Sequence, residues 1–227
     1  MNCEQILAEL KRLENPANVA GMAKFGINPH NNYGITVETL RGMAKKIGKN
    51  HDLALGLWDS QIHDGRILAC LIDDPKASTS QQVDKWANDF DSWDVCDACC
   101  THLFQNLPFA YEKAVEWSEN DVDYVKRAGF SLMARLAVSD KKAPDEKLTQ
   151  FLPIIIRESG DDRNYVKKAV NWALRQIGKR SAYLNTLAIE TAYQIQALGT
   201  RSARWIAQMP YASLPARKYS AALKNSR

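Results

Sequence analysis

Strand signals are nearly absent from this 227-residue chain. It has few alternations of β-branched residues and no Asn-Gly hairpin turn, which argues against an all-β sandwich or barrel. No run approaches the roughly 18 consecutive apolar residues of a membrane span, so no membrane partner is expected. The opening stretch, MNCEQILAELKRLENP, lacks the basic start and apolar run of a secretory signal, and the expected location is the cytoplasm. Cysteine is scarce. There are five, an odd number, and three of them crowd together at Cys96, Cys99 and Cys100. A secreted disulfide framework does not fit that count, and reduced thiols are expected. GxGxxG, the Walker loop, HExxH and GxSxG are all missing, so nucleotide-binding, zincin and α/β-hydrolase chemistry have no motif to rest on.

What the chain does have is helical periodicity. Hydrophobic residues make up 45% and charged residues 25%, an ordinary globular balance. Apolar positions recur at spacings of three and four. Helices are expected over 3–13, 37–48, 51–59, 62–72, 79–90, 92–106, 109–118, 122–137, 145–157, 162–178, 181–197 and 200–208. The breaks are short and carry turn residues: NPHNNYG, DDPKAS, SDKKAP, ESGDD. One internal repeat stands out: DVDYVKRAGFSLMARL from 121 and DRNYVKKAVNWALRQI from 162. Asp121, Tyr124, Val125, Lys126 and Ala128 match Asp162, Tyr165, Val166, Lys167 and Ala169, an offset of 41 residues. Arg127 aligns with Lys168, and HDGRILACLI places Arg66 in a weaker echo of the same setting. A helical repeat near 40 residues predicts an all-α solenoid of HEAT-like repeats, one domain over 1–227 with a concave basic face. The alternative is an irregular helical domain with chance similarity.

The net charge of +4 conceals an asymmetry. Residues 1–140 hold 14 Lys+Arg against 20 Asp+Glu, whereas residues 141–227 hold 16 against 6. So basic a C-terminal part points to a polyanionic partner, nucleic acid first. The bland alternative is a solvated surface with uneven charge.

Helical wheels single out a few side chains. In the helix around 165–178, Val166, Val170, Ala173 and Ile177 form the core stripe, and Trp172 falls about 120° from its centre. It lies near Lys168 and Tyr165, a pairing of aromatic and cation that suits a sugar, base or backbone. In the matching helix, Arg127 takes the Lys168 position, away from Val125, Leu132 and Leu136. A snorkelling cation and a packed tryptophan are the competing reading. The densest chemistry is DFDSWDVCDACCTHLF, residues 89–104. Asp91 or Ser92 suits an N-cap. Trp93, Cys96, Cys99, Cys100, Leu103 and Phe104 share one apolar arc. Asp97 sits at its margin, one turn after Trp93, where an ionised carboxylate is costly unless bonded or used. Asp94 reads as an outward-facing partner of the helix dipole. Cys96, Cys99, Cys100 and His102 suggest zinc only weakly, because the cysteines fall on the core arc and His102 points elsewhere. No metal and no cofactor is expected.

These segments, with NNYGITVETLRGMAKKIGKNHDLALGLW near the start, resemble the DNA alkylation repair family of HEAT-like-repeat alkylpurine DNA glycosylases, the AlkD-like proteins. The resemblance covers nearly the whole chain. Matched residue by residue, it implies a catalytic set of Trp93, Asp97, Arg127 and Trp172, with Arg127, Lys168 and Arg66 toward DNA. It implies hydrolysis of the N-glycosidic bond of cationic N3- or N7-alkylated purines in double-stranded DNA, by a monomer and without a deep base pocket. CDACC departs from the family pattern by surrounding the aspartate with small residues. A non-catalytic DNA-structure binder and a protein-interaction scaffold are the rival functions. The first needs neither Asp97 nor the tryptophans, and the second needs an apolar groove rather than a basic one.

Overall fold

Asparagine, serine and threonine start many of the helices by accepting a hydrogen bond from an otherwise orphaned first-turn N–H. Asn2 caps α1 (Cys3–Arg12) in a capping box with Gln5, and Thr79 caps α6 (Ser80–Asn88) in one with Gln82. Thr36 caps α3 (Val37–Ile47), Asn50 caps α4 (His51–Asp59) and Ser181 caps α13 (Ala182–Ala197). The computed structural model of the protein describes residues 2–213. Among them, α5 (His63–Ile72), α7 (Trp93–His102), α8 (Ala110–Ser118), α9 (Asp123–Ser139), α12 (Asn164–Gly178) and α14 (Arg201–Ser213) complete the expected set. No strand occurs among the described residues.

Three departures have local causes. The expected 92–106 helix ends at His102 because Leu103 leaves the helical region, with φ −121° and ψ −63°, before a 3-10 turn at Phe104–Asn106. The expected 145–157 helix splits into α10 (Glu146–Thr149) and α11 (Phe151–Glu158). Pro153 has no N–H to offer the Thr149 carbonyl, and its ring crowds that position. An unexpected helix, α2 (Pro16–Ala23), has Asn15 as its cap and Pro16 in its first turn, yet buries no residue. It has no apolar stripe to read.

The chain gathers into two compact units that divide between Ala110 and Tyr111. In the first, α5 packs against α3, α4 and α7, and α1 against α4. Trp58 and Trp86 stack at the centre, ring centroids 4.1 Å apart and ring planes nearly parallel, each about 1% exposed. Such a pair adds roughly 0.5–1.5 kcal/mol beyond its area burial. Cys70 of α5 and Cys99 of α7 are joined as a disulfide, Cα atoms 5.2 Å apart, while Cys96 and Cys100 are buried outside that bridge. Two adjacent core helices bring these two sulfurs together.

In the second unit, α9 and α12 run side by side in the same direction, Arg127 reaching the Tyr165 carbonyl at one end and Arg180 the Ala137 carbonyl at the other, and α12 also packs on α13 and α14. The repeated segments are thus neighbouring helices of successive pairs, each preceded by a shorter one, α8 and α11. Tyr124 and Tyr165, equivalent in the repeat, meet with ring centroids 5.7 Å apart. The close approach of α8 to α9 depends on Gly129. A Cβ there would lie 2.5 Å from the Ser118 backbone nitrogen and 2.9 Å from its Cα. Gly129→Ala must therefore push the two helices apart, and a loss of about 1–3 kcal/mol is expected in urea unfolding. An unchanged midpoint would show that the pair yields freely.

Candidate functional site

The start of α7 is held by polar contacts. Ser92 occupies the N-cap position, but its hydroxyl donates to Asp94 Oδ1 at 2.6 Å instead of accepting from the helix. Asp94 Oδ2 lies 2.9 Å from His63 Nε2, and His63 is only 4% exposed. Asp94 is therefore half-buried and engaged, which corrects its expected outward orientation. On the other side of the imidazole, Asp64 Oδ2 stands 4.0 Å from Nδ1. The fully buried Asp64 carboxylate accepts from the N–H groups of Tyr33 and Ile35, at 2.7 and 2.9 Å. The connection between α2 and α3 is thereby fastened to α5. It is also fastened to α7: Asn28 Nδ2 donates to Asp91 Oδ2 at 2.9 Å, and the Trp93 indole N–H donates to the Phe25 carbonyl at 3.1 Å.

Between α2, this connection and the start of α7 lies an open-sided cleft of about 640 Å³. Its walls are mostly apolar, and Trp93 and Asp94 form one side. Asp97 follows Trp93 by one turn of α7 and is half-buried, as is Trp93 itself. Neighbours at this spacing have Cβ atoms about 5–6 Å apart.

Burial disfavours the charged form of His63, but the hydrogen bond and charge of Asp94, reinforced by Asp64 and Asp91, overcome it and raise its pKa above the ordinary 6.5. Burial likewise opposes ionisation of Asp94, and the bond and charge of His63 overcome it and lower its pKa below 3.8. These are two faces of one ion pair. The raised histidine contributes stability that is complete below pH 6.5 and disappears as pH rises through its folded value. The lowered aspartate contributes stability that is complete above pH 3.8 and disappears as pH falls through its folded value. His63→Gln is therefore expected to lose about 1.5–3 kcal/mol between roughly pH 4 and 6.5, with the deficit narrowing on either side. Urea melts from pH 3 to 9 check this. A deficit independent of pH would mean that the pair is neutral throughout.

In the second unit, Trp172 is half-buried and Lys168 is exposed, its Nζ 6.0 Å from the Tyr165 ring centroid. Arg127 differs from the wheel reading. It is only 6% exposed, and its Nη1 donates to the Tyr165 carbonyl at 2.8 Å, linking α9 to the first turn of α12. Arg127, Tyr124, Tyr165 and Lys168 gather along the facing starts of the two helices. The tyrosines were missed as site candidates, although their place in the repeat was visible. Of the six tryptophans, Trp58, Trp86 and Trp117 lie in the core, whereas Trp93, Trp172 and Trp205 keep part of their surface.

Arg66 is placed elsewhere. It is 7% exposed, Nη1 donates to the Asp89 carbonyl at 3.0 Å, Asp91 stands 3.5 Å away, and its guanidinium lies 5.2 Å from the Trp58 ring centroid. Its guanidinium is engaged within unit 1, as that of Arg127 is within unit 2. Part of the basic stretch, including Arg217, Lys218, Lys224 and Arg227, lies outside the described residues. Among the described residues no group of three or more His, Cys, Asp or Glu is arranged to hold a metal ion.

The arrangement is that of a helical-repeat protein. The chain belongs to the DNA alkylation repair enzyme family, which it matches over residues 6–206. It is 28% identical over 133 residues to an uncharacterized protein of Listeria monocytogenes serovar 1/2a, and 27% identical over 133 residues to one of Listeria innocua serovar 6a. Each match takes in 57% of this chain and 59% of the relative. The fold is similar to that of a solved protein from a family described as related to the HEAT-like repeat DNA glycosylases with affinity for branched DNA structures. The TM-score is 0.76 at 21% identity, over 86% of this chain and 83% of that one. The all-α, HEAT-like repeat fold expected from periodicity is therefore the observed one.

Proposed function

We propose that the protein is a monofunctional DNA glycosylase that removes cationic N3- or N7-alkylated purines from double-stranded DNA. The observation that carries this reading is the start of α7: a half-buried Trp93 with its indole N–H tethered to the Phe25 carbonyl, followed one turn later by the half-buried carboxylate of Asp97. The chemistry needs little more. An alkylated purine already bears positive charge, so the bond from its nitrogen to C1′ breaks with the electron pair going to the base, which leaves neutral. The sugar becomes oxocarbenium-like. Asp97 stabilises that cation and takes the proton of the water that adds to C1′, passing it on to solvent. Trp93 offers a π face to the developing charge, and Trp172 is assigned a catalytic role on the family resemblance alone. Arg127 and Lys168 are assigned to backbone phosphate.

A second reading has one observation in its favour. The structurally similar protein belongs to a family with affinity for branched DNA, so binding of junctions without excision is the rival. Release of 3-methyladenine or 7-methylguanine from methylated duplex DNA, run beside binding to a four-way junction, separates the two. Base release supports the glycosylase. Junction binding with no release at any enzyme concentration overturns it.

A further inference from the structure

Cations are neutralised internally at one helix junction of the second unit and left over at the next. Between α9 and α12, Lys126 is 7% exposed, and its Nζ lies 2.7 Å from Glu158 Oε2 and 3.7 Å from Asp161 Oδ2. Arg163 is held there by Asp161 and Asp123. The internal repeat puts Lys167 at the position of Lys126. Between α12 and α14, the Lys167 ammonium meets an aromatic ring in place of carboxylates, its Nζ 5.9 Å from the ring centroid of Trp205. Among the described residues no ion pair is formed by Lys167, Lys168, Arg201 or Arg204. We infer that this α12–α14 junction binds the phosphodiester backbone of duplex DNA, with Lys167 and Arg201 as the phosphate contacts and Trp205 as the residue that positions Lys167. These three lie outside the set assigned to the glycosylase, and only DNA as the partner is common to both.

Helix polarity makes the surplus charge costly in the free protein. The starts of α12 and α14 carry partial positive charge from N–H groups that have no intrahelical acceptor, and neither helix has an acidic residue in its first turn. Arg201 opens α14, and Lys167 and Lys168 sit at the first turn of α12, where carboxylates are the stabilising choice. Helix α9, by contrast, has Asp123 in its first turn. Of the two acids just before α12, Asp161 is engaged by Arg163 and Lys126, which leaves the exposed Asp162 against four cations. An anion brought to the junction turns this repulsion into attraction.

The cations form one surface. Arg201 and Trp205 are one turn apart on α14, a spacing that puts Cβ atoms about 5–6 Å from each other. Arg201 is exposed, and Lys167 and Trp205 are half-buried. The ring restrains the lysine stem, so less side-chain freedom is lost when the ammonium meets a phosphate. Arg204 flanks the group, donating from Nε and Nη2 to the Gly199 carbonyl at 3.1 and 2.7 Å. After Glu190 the sequence has no further Asp or Glu and six Lys+Arg. A positive run of that length matches a polymer of phosphates better than a single free one.

Lys167→Ala, Arg201→Ala and the two together are compared with wild type. Lys179→Ala, which removes the same charge from an exposed position at the other end of α12, is the control. Fluorescence anisotropy of a labelled undamaged duplex is followed from 50 to 200 mM salt, and thermal melts check folding. Each single variant should lower the log–log slope by about 0.9 and the pair by about 1.8, so that the pair loses roughly 12-fold less affinity than wild type over that range. Lys179→Ala should keep the wild-type slope. Trp205→Leu should bind as weakly as Lys167→Ala and leave that substitution nothing further to remove, whereas Trp205→Phe, which keeps a ring, should bind as wild type does. Wild-type slopes in both Lys167→Ala and Arg201→Ala overturn the inference, as does an equal loss of slope in Lys179→Ala. Wild-type affinity in Trp205→Leu overturns the positioning role. A methylated duplex run in parallel keeps the two readings apart. Lowered slopes with no base release leave the junction standing without the glycosylase, and base release with unaltered slopes leaves the glycosylase standing without the junction.

Discussion

Asp97→Asn is expected to slow release of 3-methyladenine or 7-methylguanine from methylated duplex DNA by about 100-fold or more, the scale of removing a key electrostatic stabiliser. The substitution keeps shape and hydrogen-bonding capacity and deletes only the charge. If that charge acts on the developing sugar cation, binding to intact duplex should hold or tighten slightly, since a negative group facing phosphate has been removed. Trp172→Ala should cost less, about 2- to 30-fold, because a cation–π contact is worth about 0.5–2 kcal/mol. Single-turnover excision with saturating enzyme reads both without interference from product release. A folded Asp97→Asn protein that excises at the wild-type rate would leave Asp97 as a structural helix residue.

The second large effect concerns salt. If duplex affinity comes mainly from phosphate contacts made by the basic part of the chain, log K should fall linearly with log salt, by about 0.9 for each phosphate neutralised. With roughly six contacts, affinity should drop about 10³-fold between 50 and 200 mM salt. Lys168, exposed beside the Tyr165 ring, is the most direct probe. Lys168→Ala should reduce the slope by about one, equally for damaged and undamaged duplex. Fluorescence anisotropy across a salt series measures it. A flat salt profile would reject phosphate contact as the source of affinity.

How much of this was legible beforehand depended on which kind of information each residue carries. The three-and-four spacing marks helices that bury a stripe, so α1, α3, α4, α9 and α12 were readable, and α2, which buries nothing, was not. Trp93, Asp97 and Trp172 sat at the margins of their apolar arcs on the wheel and are half-buried in the structure. Arg127 and Arg66 were misplaced for one reason. A wheel shows which side of a helix a residue faces, and not that a neighbour brings a carbonyl to meet it, as Tyr165 does for Arg127 and Asp89 for Arg66. The His63–Asp94 pair was invisible because its members are 31 residues apart, on two helices whose meeting periodicity does not reveal.

The first unit breathes most readily at α2. Helix α2 reaches the rest of the protein through amide bonds. Asn15 N–H donates to the Tyr33 carbonyl at 2.7 Å, and Asn18 Nδ2 donates to the Gly34 carbonyl at 2.9 Å. Tyr33 in turn is held by the buried Asp64. One wall of the cleft thus hangs from a latch rather than from the core. Opening it ruptures a few polar bonds and exposes the half-buried Val19 and Met22 but no fully buried side chain, so its local opening free energy lies below that of global unfolding. Its backbone amides would trade their protons with solvent long before those of α5, whose side chains are almost all interior. No rearrangement of the Trp58–Trp86 core is required for that opening.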